Sequence, residues 1–433
     1  MKRGRIIWGI TGILLLGVLT DIKYNPNGSM ARWIERTGTR LSGDAEPESR
    51  TDGPAFGRIA QSGGVSVAEP MTDLMVEPGT FEVSAAALPA GGYVYGTLDD
   101  AARQVYNEIY EVLMGHEEKA AMSTLDSELL DRAYKAVCAD YGGIFWTSGY
   151  VYTQYTRGDE LIELEFAPQY TMTKEERDAL QVQIDAEVER ILAQISDEIS
   201  AEISAETAGG ETAAPDDYRK ARKVFDYLSS HVDYVVGAPD NQNIISVFLN
   251  GETVCQGYAC ATQYLLAELG IECAVITGEA EGEAHAWNLA KLDGDYYYID
   301  TTWGNSTYTN KESGVSRFIN YNYFGVTTWD LMQTHRPNDY FVLPECTATD
   351  DNYYIREEKY FSEWNPDAVG NLYREAYETG NSAVSVRFAT KELYERYRSW
   401  FIGEKHIADY CSGISTLYYV EDRTQNVLTF SFS

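Results

Sequence analysis

The sequence contains few of the residues that would indicate a metal or nucleotide site. Only five histidines occur in 433 residues, and none belongs to an HExxH motif. There is no paired CxxC motif, and the acidic stretch TATDDN lacks the glycine and glutamate of an EF-hand loop. A glycine-rich phosphate loop is also missing. We therefore expect no metal site and no cofactor.

Basic residues are scarce as well. The chain has 34 Lys and Arg against 67 Asp and Glu, a formal net charge of −33. Nucleic-acid phosphates would be repelled by such a chain, so nucleic acid is excluded as a partner. The charge favours a solvated acidic surface over one adapted to cationic partners. The six cysteines are too few for a dense disulfide framework, and no pattern indicates an oligomeric state.

Long hydrophobic runs are absent except at the beginning of the chain. Lys2, Arg3 and Arg5 precede an apolar run over residues 6–19, which predicts a signal peptide or signal anchor over 1–20. The following GVLT is a poor cleavage site, so both alternatives stay open. Either one predicts an extracytoplasmic protein, secreted or anchored to the cell membrane. This segment would be its only membrane contact.

Composition and periodicity divide the rest of the chain. Residues 21–93 lack a sustained period and predict a flexible extracytoplasmic tether. Residues 94–208 combine helical periods, a hairpin with its turn at 157–159, and a long helix opened by the capping box Thr173–Glu176. They predict an N-terminal α+β module that ends in a Gly- and Ala-rich linker.

The second half of the chain predicts two further units. Residues 209–346 form the core treated below. Residues 347–433 predict a small C-terminal α+β domain with a strand in VSVRFA, a helix in TKELYERYRSWF and a terminal hairpin. We expect this domain to serve packing or recognition. Between the motifs of the core and this domain, His335 in THRPND is interpreted as a loop residue.

The stretch ETVCQGYACATQYLLAELG places a cysteine directly before a helical pattern. Apolar or small residues at 259, 262, 265, 266 and 269 predict one buried helix face, and Gly270 predicts its end. Cys255 would then lie in the first turn, where unpaired N–H groups and the helix dipole stabilise a thiolate. The alternative is a small buried hydrophobe, the role expected for Cys260 and Cys273.

The stretch EAHAWNLAKLDGDYYYIDTTW predicts a hairpin with an Asp293–Gly294 turn. With this turn Leu292 faces Asp295, and His285 lies diagonal to Asp300 on one face, within side-chain reach. A carboxylate there would fix the tautomer of the imidazole and leave the second ring nitrogen to accept a proton from a thiol. Taken alone, a core histidine and a strand-end aspartate are ordinary structural residues.

The motifs VCQGYA, HAWN and YIDTTW, in this order, resemble the core of the transglutaminase-like superfamily over about a fifth of the chain. The resemblance implies an α+β, papain-like fold in which a helix with cysteine at its N-terminus packs on an antiparallel sheet, flanked by small α+β domains. It also implies a catalytic triad of Cys255, His285 and Asp300. Cleft or support positions would be taken by a set of five residues: Gln256, Gly257, Tyr258, Trp287 and Trp303.

The resemblance implies a chemistry in which the thiolate attacks an amide carbonyl of a protein or peptide, including cell-wall peptides, and forms a thioester. Water as the second nucleophile makes a protease or deamidase, which we favour over a crosslinking transamidase. The second oxyanion donor stays open among Tyr234, Gln242 and Gln256. More loosely, residues 95–433 resemble surface proteins of Gram-positive gut bacteria. The alternative function is a non-catalytic binding module of the cell surface on the same fold.

Overall fold

The described residues of the chain come from a computed structural model. They are 2–7, 92–157, 159–206, 216–310, 314–381, 383–412 and 418–432. Most of the predicted signal segment and tether lies outside these residues, as does most of the predicted linker before residue 216. No helix in the described ranges is both long enough and apolar enough to cross a bilayer.

The N-terminal region contains the helices and the hairpin that the sequence predicts. Its helices are α1 (Tyr93–Thr97), α2 (Asp100–Gly115), α3 (Ser127–Asp140) and α4 (Lys174–Glu206). Its strands are β1 (Lys2–Ile7), β2 (Ala120–Ala121), β3 (Thr147–Arg157) and β4 (Glu160–Tyr170), in the sheet order β1-β3-β4-β2. The capping box is confirmed, because the backbone N–H of Glu176 donates to Thr173 Oγ1 and the Glu176 carboxylate accepts from the Thr173 N–H.

The middle of the chain folds around a five-stranded sheet with the order β12-β9-β8-β7-β13. Its strands are β7 (Cys273–Ala280), β8 (Glu283–Leu292), β9 (Asp295–Ile299), β12 (Phe324–Val326) and β13 (His335–Pro337). The helices of this part are α5 (Asp217–His231), α6 (Cys255–Glu268), α7 (Thr301–Gly304) and α8 (Thr328–Leu331). Strands β5 (Asp233–Tyr234) and β6 (Glu252–Thr253) pair with each other, as do β10 (Asn305–Asn310) and β11 (Gly314–Ile319). A π-helical turn, Ser246–Asn250, precedes β6.

Both faces of this sheet are buried, because alternate residues of the central strands β7, β8 and β9 belong to different hydrophobic clusters. On β7, Cys273 and Val275 pack with α4, α5 and α6 in one cluster. Ala274 and Ile276 pack with the helices α2 and α3 and with strands β3 and β4 in the other. The N-terminal region thus shares its hydrophobic core with the sheet, and the α+β fold class is confirmed.

In the C-terminal region, residues 347–433, most of the buried apolar side chains form a separate hydrophobic cluster, whereas Tyr353, Tyr354 and Val427 belong to a cluster of the central sheet. Its helices are α9 (Tyr353–Arg356), α10 (Pro366–Glu378), α11 (Lys391–Arg398) and α12 (Ile407–Tyr410), with a π-helical turn at Ser399–Gly403. Its strands are β14 (Tyr360–Phe361), β15 (Ala383–Phe388), β16 (Tyr418–Asp422) and β17 (Val427–Ser431), in the order β14-β15-β17-β16. The predicted strand, helix and terminal hairpin are all present.

Candidate active site

Cys255 is the first residue of helix α6, as the sequence predicts. The preceding Val254 is the N-cap, and its apolar side chain accepts no hydrogen bond from the first turn. The backbone N–H groups of this turn are therefore not capped by a side chain at this end, where partial positive charge accumulates. Cys255 is buried, so an anion on its sulfur would depend on these N–H groups and on a cationic neighbour, because water is largely excluded.

Gly257 and Tyr258 fix the position of this helix. A Cβ on Gly257 would lie 1.9 Å from Thr253 Oγ1, so only glycine permits this close approach of α6 to β6. The Tyr258 hydroxyl donates to the Val232 carbonyl at 2.6 Å and accepts from the Asn305 amide at 2.6 Å. Both residues are buried and hold the helix that carries the cysteine, so their contacts are those of structural support.

His285 and Asp300 meet as the predicted hairpin requires. Leu292 pairs with Asp295 across the turn, and the ladder continues to Asn288 and Ile299. Asp300 follows β9 directly, and its Oδ2 lies 2.7 Å from His285 Nε2 with both side chains fully buried. The Oδ1 atom accepts the backbone N–H of Trp303 at 3.2 Å and so caps α7. The carboxylate is therefore held on both oxygens.

The pKa values of this pair follow from burial and mutual charge. Burial alone would lower the pKa of His285, but the Asp300 carboxylate and a hydrogen bond with Cys255 outweigh it and raise the pKa to about 9. For Asp300, burial would raise the pKa, and the two histidines that contact it hold the pKa well below its usual range instead. The site therefore favours an imidazolium at His285 and a carboxylate at Asp300 at neutral pH.

His335 is the site residue that sequence reasoning missed. The interpretation of His335 as a loop residue is wrong, because it opens strand β13 at the edge of the central sheet and is buried. Its Nε2 lies 3.1 Å from Asp300 Oδ2, the oxygen that also binds His285. No motif marks this residue, and it follows Asp300 by 35 positions. The only signal was the scarcity of histidine itself.

Aromatic side chains form the wall around the two imidazoles. The ring centroid of Trp287 lies 5.9 Å from that of His285 and 5.0 Å from that of His335. Trp303 lies 5.9 Å and 4.7 Å from the same two rings, and Tyr323 lies 5.1 Å from His335. Both motif tryptophans are buried, so they exclude water from the histidines.

The three candidates for the second oxyanion donor lie in different surroundings. Gln256 Nε2 donates to Cys260 Sγ at 3.3 Å, and Gln242 Nε2 donates to Asn241 Oδ1 at 3.1 Å. Burial raises the pKa of Tyr234 well above its usual value, with further contributions from the charges of Cys255, Tyr258 and Asp300. Tyr234 is the only titratable group of the three, and its hydroxyl lies close enough to Cys255 and Asp300 for their charges to raise its pKa.

The cysteine on the next turn of the same helix has a different environment. Burial raises the pKa of Cys260 to about 12, and its sulfur accepts a hydrogen bond from the Gln256 amide. Burial also raises the pKa of Cys273 well above its usual value. Neither sulfur has a histidine partner among the described residues. Their expected role as buried hydrophobes is consistent with these surroundings.

One group of side chains in the described ranges has the proximity that a metal ion needs. Single ligand atoms of His285, Asp300 and His335 all lie within 4.8 Å of one another. The two nitrogens involved already have hydrogen-bond contacts with one carboxylate oxygen, and a metal would have to replace both contacts. The absence of a metal site stays a prediction.

Comparison with known proteins gives a match to the transglutaminase-like superfamily over residues 203–301. The matched range contains Cys255, His285 and Asp300 and ends before His335. Mouse kyphoscoliosis peptidase is 22% identical over 143 residues, which are 29% of this chain. The human protein is 22% identical over 140 residues, or 28% of this chain. The aligned parts are 22% and 21% of those relatives, so the chain spans about a fifth of their length.

Solved structures give weaker matches. A TGase crystal structure is 16% identical, with a TM-score of 0.23 over 39% of this chain and 48% of that one. The structure of a candidate cysteine protease from Cytophaga hutchinsonii is 14% identical, with a TM-score of 0.19 over 40% of this chain and 63% of that one. The assignment of a family therefore depends on the sequence match.

Proposed function

We propose, from the match of residues 203–301 to the transglutaminase-like superfamily, that the protein is a cysteine enzyme that attacks amide bonds of proteins or peptides. One observation carries the proposal. Cys255 begins an N-terminally uncapped helix and lies close enough to His285 to raise the pKa of that histidine, and His285 in turn contacts the buried Asp300 at 2.7 Å. A nucleophile, a base and an orienting carboxylate are thus in contact in the order that covalent catalysis needs.

The first half of the reaction uses the ion pair of Cys255 and His285. The thiolate attacks the amide carbonyl, and the backbone N–H groups at the start of α6 stabilise the oxyanion. We assign the second oxyanion donor to Tyr234, since its hydroxyl lies close enough to Cys255 for the charge of the cysteine to raise the pKa of the tyrosine. His285 then gives its proton to the departing amine, the carbon–nitrogen bond breaks, and the acyl group remains on sulfur as a thioester.

The second half returns the enzyme to its starting state. Neutral His285 takes a proton from water, the resulting hydroxide attacks the thioester, and the thiolate leaves. Asp300 keeps the Nε2 hydrogen of His285 in place, so that Nδ1 serves the sulfur and the water in turn. We infer hydrolysis in preference to transfer to an amine, and we infer export by the predicted signal segment.

The test is site-resolved alkylation of the purified full-length chain with iodoacetamide from pH 4 to 9, read by mass spectrometry. We expect rapid labelling of Cys255 that persists to pH 5, because an imidazolium partner keeps the sulfur as thiolate where an isolated thiol is protonated. Cys260, five residues along the same helix, is the internal control and should be labelled slowly at every pH.

A second measurement separates hydrolysis from transfer. Peptides that the enzyme modifies would be incubated in ¹⁸O-labelled water with and without a lysine-like amine. Incorporation of ¹⁸O into the carbonyl product supports hydrolysis, whereas amine incorporation identifies a transamidase. If Cys255→Ala retains full turnover, the triad assignment is wrong. Labelling of Cys255 that rises only near the pH of free thiols favours the binding module on the same fold.

A further inference from the structure

His335 occupies a position that the proposed triad leaves unexplained. It is a fully buried imidazole on the carboxylate oxygen that also binds His285, and it comes from β13, the edge strand beyond β7. Strand β13, where His335 lies, pairs with β7 so that His335 faces Ala280. His285 faces Gly278 from the other side of β7. The two rings approach to 5.4 Å between centroids.

The hydrogen bonds of His335 have one consistent direction. Thr334 Oγ1 lies 2.8 Å from His335 Nδ1, and the Tyr323 hydroxyl lies 2.8 Å from the same oxygen. If Tyr323 donates to Thr334 and Thr334 donates to His335 Nδ1, the ring carries its hydrogen on Nε2 and donates it to Asp300. Neutral His335 then satisfies every member of the chain of hydrogen bonds, and Asp300 accepts from two imidazoles and one backbone N–H.

The C-terminal region holds the segment that leads to His335. Arg387 on β15 forms an ion pair with Asp330 in α8, and both side chains are largely buried. The Gln425 amide, from the turn between β16 and β17, donates to the Asp330 carbonyl at 2.9 Å. Gln425 also lies close enough to Tyr323 to oppose the effect of burial on the tyrosine pKa. Asp330, which precedes His335 by five residues, thus contacts the side chains of Arg387 and Gln425 from the C-terminal region.

A third contact fixes the other end of the same segment. The Asn322 amide donates to Asp422 at 2.6 Å, and both residues are buried. Asn322 neighbours Tyr323, the first member of the hydrogen-bond chain to His335. The contacts therefore hold the chain at Asn322, before β12, and at Asp330, within α8, through polar groups that are specific in direction.

We propose that His335 is a positioning residue that donates its Nε2 hydrogen to Asp300, and that the C-terminal region fixes this histidine through Asp330 and Tyr323. This inference rests on the proposed function, because it assigns a role in orienting the same triad. It gives the C-terminal region a part in the reactivity of Cys255, although none of its residues belongs to the triad. Such supporting partners commonly change activity by about 10–100-fold.

The test compares variants of the full-length chain by Cys255 alkylation from pH 4 to 9. We expect His335→Phe, which keeps a ring of similar size and removes the donor, to lower the rate at pH 5 by about 10-fold. His335→Gln can place an amide donor near the position of Nε2 and should stay within about 3-fold of the wild type. Equal rates for wild type and His335→Phe would overturn the proposal.

Arg387→Met tests the contribution of the C-terminal region. We expect a decrease of about 3-fold in the same rate, because Asp330 loses its ion-pair partner. Arg398→Met is the matched control, since Arg398 pairs with Glu421 inside the C-terminal region, at 2.9 Å, without reaching α8. The proposed role of the region is wrong if both variants change the rate equally.

A spectroscopic measurement on the wild type avoids any problem with variant folding. ¹⁵N-histidine NMR at pH 7 should show His335 as neutral imidazole with hydrogen on Nε2, hydrogen-bonded to a carboxylate. A hydrogen on Nδ1 would overturn the proposal. If wild-type Cys255 itself shows no labelling at low pH, the proposed enzyme function fails. Normal labelling with an unaltered His335→Phe variant refutes only the positioning role.

Discussion

His285 and His335 lie on two strands of one sheet and contact the same oxygen of Asp300, yet their pKa values move in opposite directions. Burial would lower the pKa of His285, but Asp300 and Cys255 raise it to about 9. For His335 burial prevails, and the positive charge of His285 adds to it, so its pKa is lowered despite Asp300. The shared carboxylate raises the pKa of both rings and therefore does not by itself explain why the two shifts have opposite signs.

The partner on the second ring nitrogen makes the difference. The thiol beside His285 can release a proton and become an anion, whereas the Thr334 hydroxyl beside His335 remains neutral. Two imidazolium rings 5.4 Å apart in a buried site would repel each other strongly. One ring is therefore suited to move protons and the other to donate a fixed hydrogen bond.

Of the substitutions considered, replacing His285 should reduce the reactivity of Cys255 the most. His285→Phe removes the proton acceptor of Cys255 and keeps an aromatic ring in the wall of the site. We expect the alkylation rate of Cys255 at pH 5 to fall by about 100-fold or more, since an isolated thiol is almost fully protonated there. His335→Phe, measured alongside, should cause the smaller loss. An equal loss in both variants would mean that the two histidines are equivalent.

Removing the charge of the shared carboxylate should have the next largest effect. In Asp300→Asn the burial of His285 is no longer opposed by an anion, so its pKa should fall below 9. The low-pH labelling of Cys255 should decrease by about 10-fold or more, as expected when a triad loses its orienting carboxylate. The pH profile of labelling is the measurement, and an unchanged profile contradicts the role of Asp300.

Gly278 offers a way to displace β13, the strand that carries His335. A Cβ there would lie 2.2 Å from the Arg336 carbonyl oxygen and 2.8 Å from the edge of Trp287, so β13 would have to move away from β7. We expect Gly278→Ala to cost about 1–3 kcal/mol of unfolding free energy and to weaken the Asp300–His335 contact. Denaturant unfolding measures the loss. Gly237→Ala, with nothing near its added Cβ, is the control and should unfold like the wild type.

The smallest expected effect is the change of thermal stability with pH. Burial raises the pKa of Asp140, Asp226 and Asp351 to about 6, so the stabilisation from their protonated forms is present below their unfolded pKa and is lost as the pH rises through 6. The raised pKa of His285 adds stability below about 6.5 that is lost as the pH rises through 9.

We therefore expect Tm to fall by a few degrees between pH 5 and pH 9. Differential scanning calorimetry across this range is the measurement. Asp140→Asn should flatten the acidic part of the profile, because the amide does not titrate. A Tm that rises from pH 5 to pH 7 would contradict this expectation.

Local sequence patterns were sufficient to predict most of the secondary structure and three residues of the candidate site. The helix that begins at Cys255 follows from its apolar spacing, and the meeting of His285 and Asp300 follows from a two-residue turn that sets the register. His335 could not be predicted in this way. Its contact with Asp300 depends on the return of the chain to the far edge of the sheet, and no local period encodes such a return.

The amino-acid sequence was sufficient to predict the transglutaminase-like motifs and the hairpin that brings an imidazole to a carboxylate, because these depend on residues close together along the chain. Its composition was sufficient to predict which classes of ligand the protein does not bind. Tertiary structure alone decided that a second histidine binds the same carboxylate, and that Asp330 and Asn322 tie the segment before it to the C-terminal region. It also decided which imidazole carries charge, since burial and neighbouring groups set a pKa and both arise only when distant segments pack together.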